Sequence, residues 1–218
     1  MMEERLIMGK MDEPIIVVKK ADLFGDKEMP SAFQGTERSR ARVNQIIRKM
    51  ADSYLIMRRG DAEENTEYKQ PIPYAVLKQG DRYFTYQRLG GGGEKRLHGK
   101  LSIGVGGHMN KISDANDFHK VLALNLEREI NEELRIEHGE QAAIETIGLI
   151  NDDNTEVGKV HIGILTVLSL PSNAEVTVRE KDKLEGSWKT LSELKNTAVF
   201  DRMESWSCFA IDALTAVE

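Results

Sequence analysis

The sequence predicts an α/β fold: a mixed β-sheet with helices packed on it, preceded by an N-terminal extension. Three observations predict it. Strand-like and helix-like runs alternate along the chain, the helical runs carry apolar residues at helical spacing, and one strand-loop-helix unit from Leu101 to Leu134 concentrates both glycines and acids. At 218 residues the chain has a one- to two-domain length and can bury a substantial core. The organisation read from it is an extension over residues 1–69 and a main domain over residues 70–218.

In the extension, Pro14 to Lys19 reads as a short strand. Thr36 to Met50 reads as a helix, with Val43, Ile46, Ile47 and Met50 on one side and Arg38, Arg40, Arg42 and Arg48 around it as a solvated face. Tyr54 to Arg58 is a further strand and Asp61 to Lys69 a polar connector. The main domain opens with Ile72 to Lys78 and Arg82 to Arg88, joined at Gln79-Gly80-Asp81 as a hairpin. Gly90 to Gly93 form a loop, and the spacing to Lys100, which precedes Leu101 rather than Ser or Thr, rejects a P-loop. Ala143 to Ile150 and Val160 to Leu170 are strand-like, Ser192 to Leu194 begin a short helix, and Met203 to Val217 form a terminal helix.

The chemistry concentrates between Gly106 and Ile136. Leu101, Ile103 and Val105 alternate with Ser102, Gly104 and Gly106, a strand with one face stripped of side chains, where a ligand or carbonyl can approach closely. A helix follows. On it Glu129, Glu132 and Glu133 fall within about a third of the circumference, while Ala123, Leu126, Ile130 and Leu134 form a separate apolar stripe. Glu129 and Glu133 are an i,i+4 like-charge pair, which Arg128 offsets in part through Glu132 and which a hard cation would offset further. Mg²⁺ prefers such an open oxygen cluster, shared with water and phosphates. The same run by itself also describes a solvated, salt-bridged helix face.

Gly107 followed by Arg128-Glu129-Ile130-Asn131-Glu132-Glu133 resembles the Nudix box of hydrolases related to MutT, G-x5-E-x7-R-E-U-x-E-E-x-G-U, with Ile136 matching its last aliphatic position. Leu101 to His108 and Gly158 to Gly163 are also similar to a subgroup described as predicted MutT-family phosphoesterases. The resemblance spans roughly Gln70 to Leu194 and implies an α/β/α sandwich with a mixed sheet. Three departures stand out. The Gly-to-Arg spacing is longer than the pattern, the auxiliary acid is replaced by Lys120 with Asp114 or Asp117 as substitutes, and the box glycine is Arg135. With Arg135 there, the helix is expected to run on to Gly139 as the next cap.

The resemblance implies a Mg²⁺-dependent hydrolase, with Mn²⁺ as a substitute, that cleaves a diphosphate linkage in a nucleoside diphosphate derivative or related metabolite. It implies Glu129, Glu132, Glu133 and the Gly106 carbonyl as metal ligands, Glu129 as ligand or water-activating base, and Arg128 as the group that orients the acids. A further acid from a later loop would be Glu180, Asp182 or Glu185. Arg88 is the candidate phosphate contact and Arg59 a second, each of which also reads as a surface ion pair; His108 is a candidate lining residue, His161 reads equally as a lining or a satisfied core histidine, and Trp188 and Trp206 read as packing residues. A non-catalytic ligand-binding module of the same fold is the alternative. An isopentenyl-diphosphate-isomerase-like enzyme ranks last, since Cys208 lies far from the box.

A net charge of −6 with interspersed signs argues against nonspecific nucleic-acid binding. The single cysteine, Cys208, excludes an internal disulfide and fits a reducing compartment. Met1 to Lys10 lacks the apolar core of a signal peptide, and no run approaches membrane-spanning length, so cytoplasm is expected. Homodimers are frequent among such enzymes, so a homodimer is the oligomer to look for.

Overall fold

The computed structural model describes residues 9–25, 31–88, 99–113, 117–179 and 184–215. A 3-10 turn at Lys10–Asp12 leads into β1, Pro14–Lys19, the strand expected there. α1 (Lys20–Phe24), β2 (Gly35–Glu37) and α2 (Arg40–Ser53) follow. The start of α2 lies later than its apolar spacing suggests, because Gly35–Glu37 is taken by the sheet edge, pairing antiparallel with residues 149–151. Val43, Ile46, Ile47 and Met50 are buried, and the four arginines are exposed, Arg42 pairing with Glu37 at 2.6 Å.

β3 is Leu55–Arg58 and α3 is Arg59–Glu64. The segment read as a polar connector therefore contains most of a helix and the first residues of β4, Tyr68–Gln79. β5, Arg82–Arg88, closes the expected hairpin, with Gly80 at φ +61° in its turn. The Gly90–Gly93 loop lies outside the described residues. β6 (Leu101–Ser102) and β7 (Gly104–Gly106) are one predicted strand broken at Ile103, and α4 is Phe118–Glu133.

The helix does not run on to Gly139. Leu134 is already extended and begins β8, Leu134–Glu137. Arg179 takes over the capping that the family glycine would have allowed: its N–H donates to the Glu133 carbonyl (2.9 Å) and its Nε to the Leu134 carbonyl (3.0 Å). The left-handed turn sits instead at His138, φ 57°. Next come β9 (Ala143–Asn151), α5 (Glu156–Val160), β10 (His161–Ser169), β11 (Glu175–Val178) and β12 (Leu184–Thr190). α6 (Leu191–Leu194), α7 (Thr197–Phe200) and α8 (Ser205–Thr215) complete the chain.

The main sheet runs β12-β5-β4-β10-β9-β2, with only β4 and β10 parallel, and β8 and β11 form a separate pair. Helices α2 and α4 bury Val43, Ile46, Phe118 and Val121 on one face against Ile162 and Ile164. Helices α6 and α8 bury Leu194, Ala210 and Ile211 on the other against Leu165 and Val167. This is the expected helix-sheet-helix sandwich. The N-terminal strands join the same sheet, β1 through Val18↔Lys69 and β2 through β9.

Strand β4 positions the site. It pairs with β10 from Gln70 to Lys78, but on its other side β1 ends at Lys69 and β7 begins only at Tyr74. Pro71 and Pro73 occupy that gap, where a missing N–H removes no ladder bond. The gap opens onto a large cavity.

Candidate active site

A cavity of about 1040 Å³ lies at the gap, walled by Ile72, Tyr74, Gly106, Gly107, Glu129 and Trp206 among others. Among the described residues, five carboxylates line it, Glu13, Glu63, Glu129, Glu132 and Glu204, together with the cations Lys10, Arg59, Lys100 and Arg128. Opposite charges thus converge in one concave space, an arrangement suited to an anionic ligand with a cation.

Glu129 is the most enclosed of the box acids, 9% exposed. Gly107 makes its position available, since a Cβ there would collide with the Glu129 carboxylate. Burial pushes the Glu129 carboxyl up, Arg128 pulls it back down, and Glu132 and Glu13 raise it further. Arg128 joins the parts: its Nη2 reaches Glu129 Oε1 at 2.7 Å and the His108 carbonyl at 2.7 Å, and its Nη1 reaches Glu132 Oε1 at 3.1 Å. One guanidinium therefore ties both acids to the backbone beyond the glycine strand. Glu132 is exposed and lines the cavity. Glu133, the last residue of α4, is half-buried and is not among the lining residues.

The loop before α4 is anchored at Met109 and Asn110. Asn125 is fully buried and accepts from the Asn110 N–H (2.8 Å) while donating to the Asn110 carbonyl (3.0 Å). The Asn110 amide reaches Glu13 at 2.9 Å, and the Ile16 N–H donates to the Met109 carbonyl at 2.7 Å. These bonds set His108 in the cavity wall. Its Nε2 lies 3.3 Å from Glu63 Oε1 and 3.2 Å from His161 Nε2. His161 Nδ1 donates to the Val157 carbonyl at 2.7 Å, so its neutral tautomer presents a lone pair at Nε2. Burial pushes His161 down to about 4, and the hydrogen bond from His108 holds Glu63 down to about 2. Arg59, also lining the cavity, reaches Glu63 at 3.4 Å and Glu13 at 3.8 Å.

Several sequence readings fall elsewhere. Asp117 caps α4 by accepting from the His119 N–H, Lys120 is exposed, and neither lines the cavity. Glu185 is exposed on β12, and it too is absent from the lining. Glu180, Asp182 and Asp114 lie outside the described residues, as does the side chain of Arg88. Cys208 does not line the cavity. Trp188 packs edge-on against Phe84 as expected, whereas Trp206 both packs against Tyr74 and faces the cavity. Sequence reasoning missed Glu13, Glu63 and Glu204 altogether, and His161, which reads either way in the sequence, is both buried and in the cavity wall. The only signal for Glu63 was a helix-length polar run, and for His161 a histidine opening a buried strand.

Two comparisons bear on this arrangement. Protein YmaB of Bacillus subtilis (strain 168) is 51% identical over 207 residues, spanning 95% of this chain and 100% of that one. The crystal structure of Tm1382, a candidate Nudix hydrolase, superposes with a TM-score of 0.76 at 30% identity, over 94% of this chain and 100% of Tm1382. The chain belongs to the Nudix hydrolase family. No family model matches it. A MutT Nudix hydrolase from Burkholderia pseudomallei is also similar, with a TM-score of 0.45 and 18% identity over 67% of this chain and 98% of its own. In this Nudix hydrolase the box helix is α4, and the loop before it carries His108. Among the described residues, no helix is long and apolar enough to cross a membrane.

Proposed function

We propose that this Nudix hydrolase is a Mg²⁺-dependent pyrophosphohydrolase, with Mn²⁺ as an effective substitute, acting on a nucleoside diphosphate derivative or related small metabolite. The observation that carries the reading is the meeting of Glu129, Glu132 and the glycine backbone at Gly106 with Lys10, Arg59, Lys100 and Arg128 in one cavity. A cluster of carboxylates facing several cations fits a ligand that is itself a polyanion bridged by a divalent ion. The donor set is all oxygen, which suits magnesium: Glu129, Glu132 and the Gly106 carbonyl, with Glu133 one helical turn from Glu129 as a further ligand. When bound, the ion would neutralise diphosphate charge and acidify the attacking water.

The chain's own residues do the rest. Arg128 holds Glu129 and Glu132 in one orientation. Glu129 accepts the water proton, its mobility limited by Gly107 on one side and Arg128 on the other. Lys10, Arg59 and Lys100 contact phosphate oxygens, while Trp206 and Met203 offer an apolar wall for the rest of the substrate. The single cysteine fits a cytoplasmic setting.

Product release from a panel of nucleoside diphosphate derivatives with Mg²⁺ or Mn²⁺, beside Glu129→Gln and Glu133→Gln, tests this. Metal-dependent turnover in the wild type that drops at least about 10³-fold in Glu129→Gln is expected. Tight ligand binding with no turnover by the wild type would favour a binding module instead.

A further inference from the structure

We propose that Glu63, His108 and His161 form a second metal site in the same cavity, for a transition-metal ion of the zinc class, separate from the carboxylates of α4. The three residues come from three different elements: α3, the long loop after β7, and the first position of β10. No single helix face or surface run brings them together, and their ligand atoms all lie within 4.8 Å of one another.

The ion type follows from the donors. Bonds of 2.0–2.1 Å in tetrahedral geometry place neighbouring donor atoms about 3.3 Å apart, a spacing that two of the three pairs show. The observed separations are 3.2 Å between the two Nε2 atoms and 3.3 Å from His108 Nε2 to Glu63 Oε1. Imidazole nitrogen also suits zinc, copper, iron or nickel and not magnesium.

The hydrogen bonding prepares the histidines for this role. His161 is 6% exposed, and its Nδ1–H is committed to the Val157 carbonyl, which fixes the ring and turns the Nε2 lone pair inward. For His108 to serve as well, its proton need only move from Nε2 to Nδ1, leaving a second lone pair in place and the ring neutral. Glu63 Oε1 supplies the third donor. Three protein ligands leave a fourth position to water or to a substrate oxygen, the pattern of an open site.

A separate observation points to the same spot. Gln70 stands opposite His161 in the β4–β10 register and on the face of β4 shared by Ile72 and Tyr74, which line the cavity. It is 1% exposed, yet among the described residues neither its amide nitrogen nor its amide oxygen has a hydrogen-bond partner. A buried amide in that state needs a polar occupant beside it, such as a hydrated ion.

The test is titration of the metal-free full-length protein with Zn²⁺ by calorimetry and with Co²⁺ by visible absorption. Wild type should bind one equivalent of each at this site, with the intense cobalt bands of a four-coordinate nitrogen-containing site. His108→Gln and His161→Gln should each weaken binding by about 10- to 100-fold or more and lose those bands, whereas Glu129→Gln and Glu132→Gln should keep them. Because His161 is buried, His108→Gln with circular dichroism is the deciding variant. A zinc-dependent rise in melting temperature present in wild type and absent in folded His108→Gln supports the site. Absence of one-equivalent Zn²⁺ binding in wild type, or binding abolished by the α4 variants and untouched by His108→Gln, overturns it. Loss of hydrolysis in Glu129→Gln with an intact cobalt spectrum keeps this outcome separate from that of the hydrolase reading.

Discussion

Replacing Gly107 by alanine separates the catalytic role of Glu129 from its structural one. A Cβ at Gly107 would collide with the Glu129 carboxylate, and Oε1 would stand 2.5 Å away. Ordinary non-bonded contact needs about 3.5 Å, so the carboxylate must retreat by about 1 Å. What moves is the far end of a flexible side chain rather than backbone. The fold should therefore lose little, roughly 1 kcal/mol at most, as the Arg128 ion pair loosens. The chemistry should lose far more, since a 1 Å misplacement costs about 10²-fold in rate. Gly158→Ala is the contrast: its Cβ would strike the Asp152 carbonyl, which is backbone, so stability should fall by several kcal/mol. Urea unfolding beside turnover, with Mn²⁺ affinity as a readout independent of substrate, measures both. Gly107→Ala that keeps full turnover and Mn²⁺ affinity would refute the placement of Glu129 at the reacting centre. Gly107→Ala as unstable as Gly158→Ala would refute the claim that only a side chain gives way.

Two further outcomes concern the scaffold. Lys69 is fully buried, its Nζ donating to the Gly158 carbonyl (2.6 Å) and paired with Asp153 (2.8 Å), and burial pushes it down to about 8 from an ordinary 10.5. Between those values the unfolded chain holds the extra proton, so stability should rise with pH from about 8 to 10.5. Lys69→Met should abolish that slope in pH-dependent urea melts while costing about 1–3 kcal/mol at neutral pH, because the buried Gly158 carbonyl loses its donor, whereas Asp153 keeps Lys20 and Asn151. Asn125→Ala should cost about 1–3 kcal/mol by removing both bonds to Asn110. It should also lower turnover, because that loop carries His108, and unchanged thermal stability would contradict the loop's anchoring.

The sandwich was legible in the sequence because its cause is local. Val43, Ile46, Ile47 and Met50 mark one helix, the alternation around Val105 marks one strand, and Gly80 marks one turn, each set by periodicity or by backbone freedom. The box acids were legible for the same reason, as positions along one helix. The remainder of the site was not, because it depends on pairings distant in sequence. Glu63 meets His108 only because α3 packs beside the long loop, and His161 joins them only because β10 runs parallel to β4. The helix end shows the same limit. Arg135 seemed to prolong α4, but Arg179, some 45 residues later, satisfies the carbonyl and turns the chain into β8.

The cavity itself has a sequence cause that pattern reading passes over, and it can be tested at Pro73. A proline inside a central strand normally argues against that strand. Here the Pro73 carbonyl faces Gly106, since a Cβ on that glycine would strike it, so the Pro73 nitrogen points to the same side, away from β10. Just there β1 has ended and β7 has barely begun, and no strand could use a donor. Pro71 stands two residues earlier with the same orientation. The pair therefore allows β4 to stay paired to β10 while its other edge borders the cavity without an orphaned N–H. Pro73→Ala restores that donor. If the edge is wet, cavity water satisfies it, and the cost is the lost restriction of the unfolded chain, about 0.4–1 kcal/mol. If the edge is dry, an unsatisfied buried donor adds about 1–3 kcal/mol. The lining of Ile72 and Tyr74 by an open, charged cavity predicts the smaller loss in urea melts. A loss of 3 kcal/mol or more would show that the gap is sealed and that the cavity owes its place to something other than the two prolines.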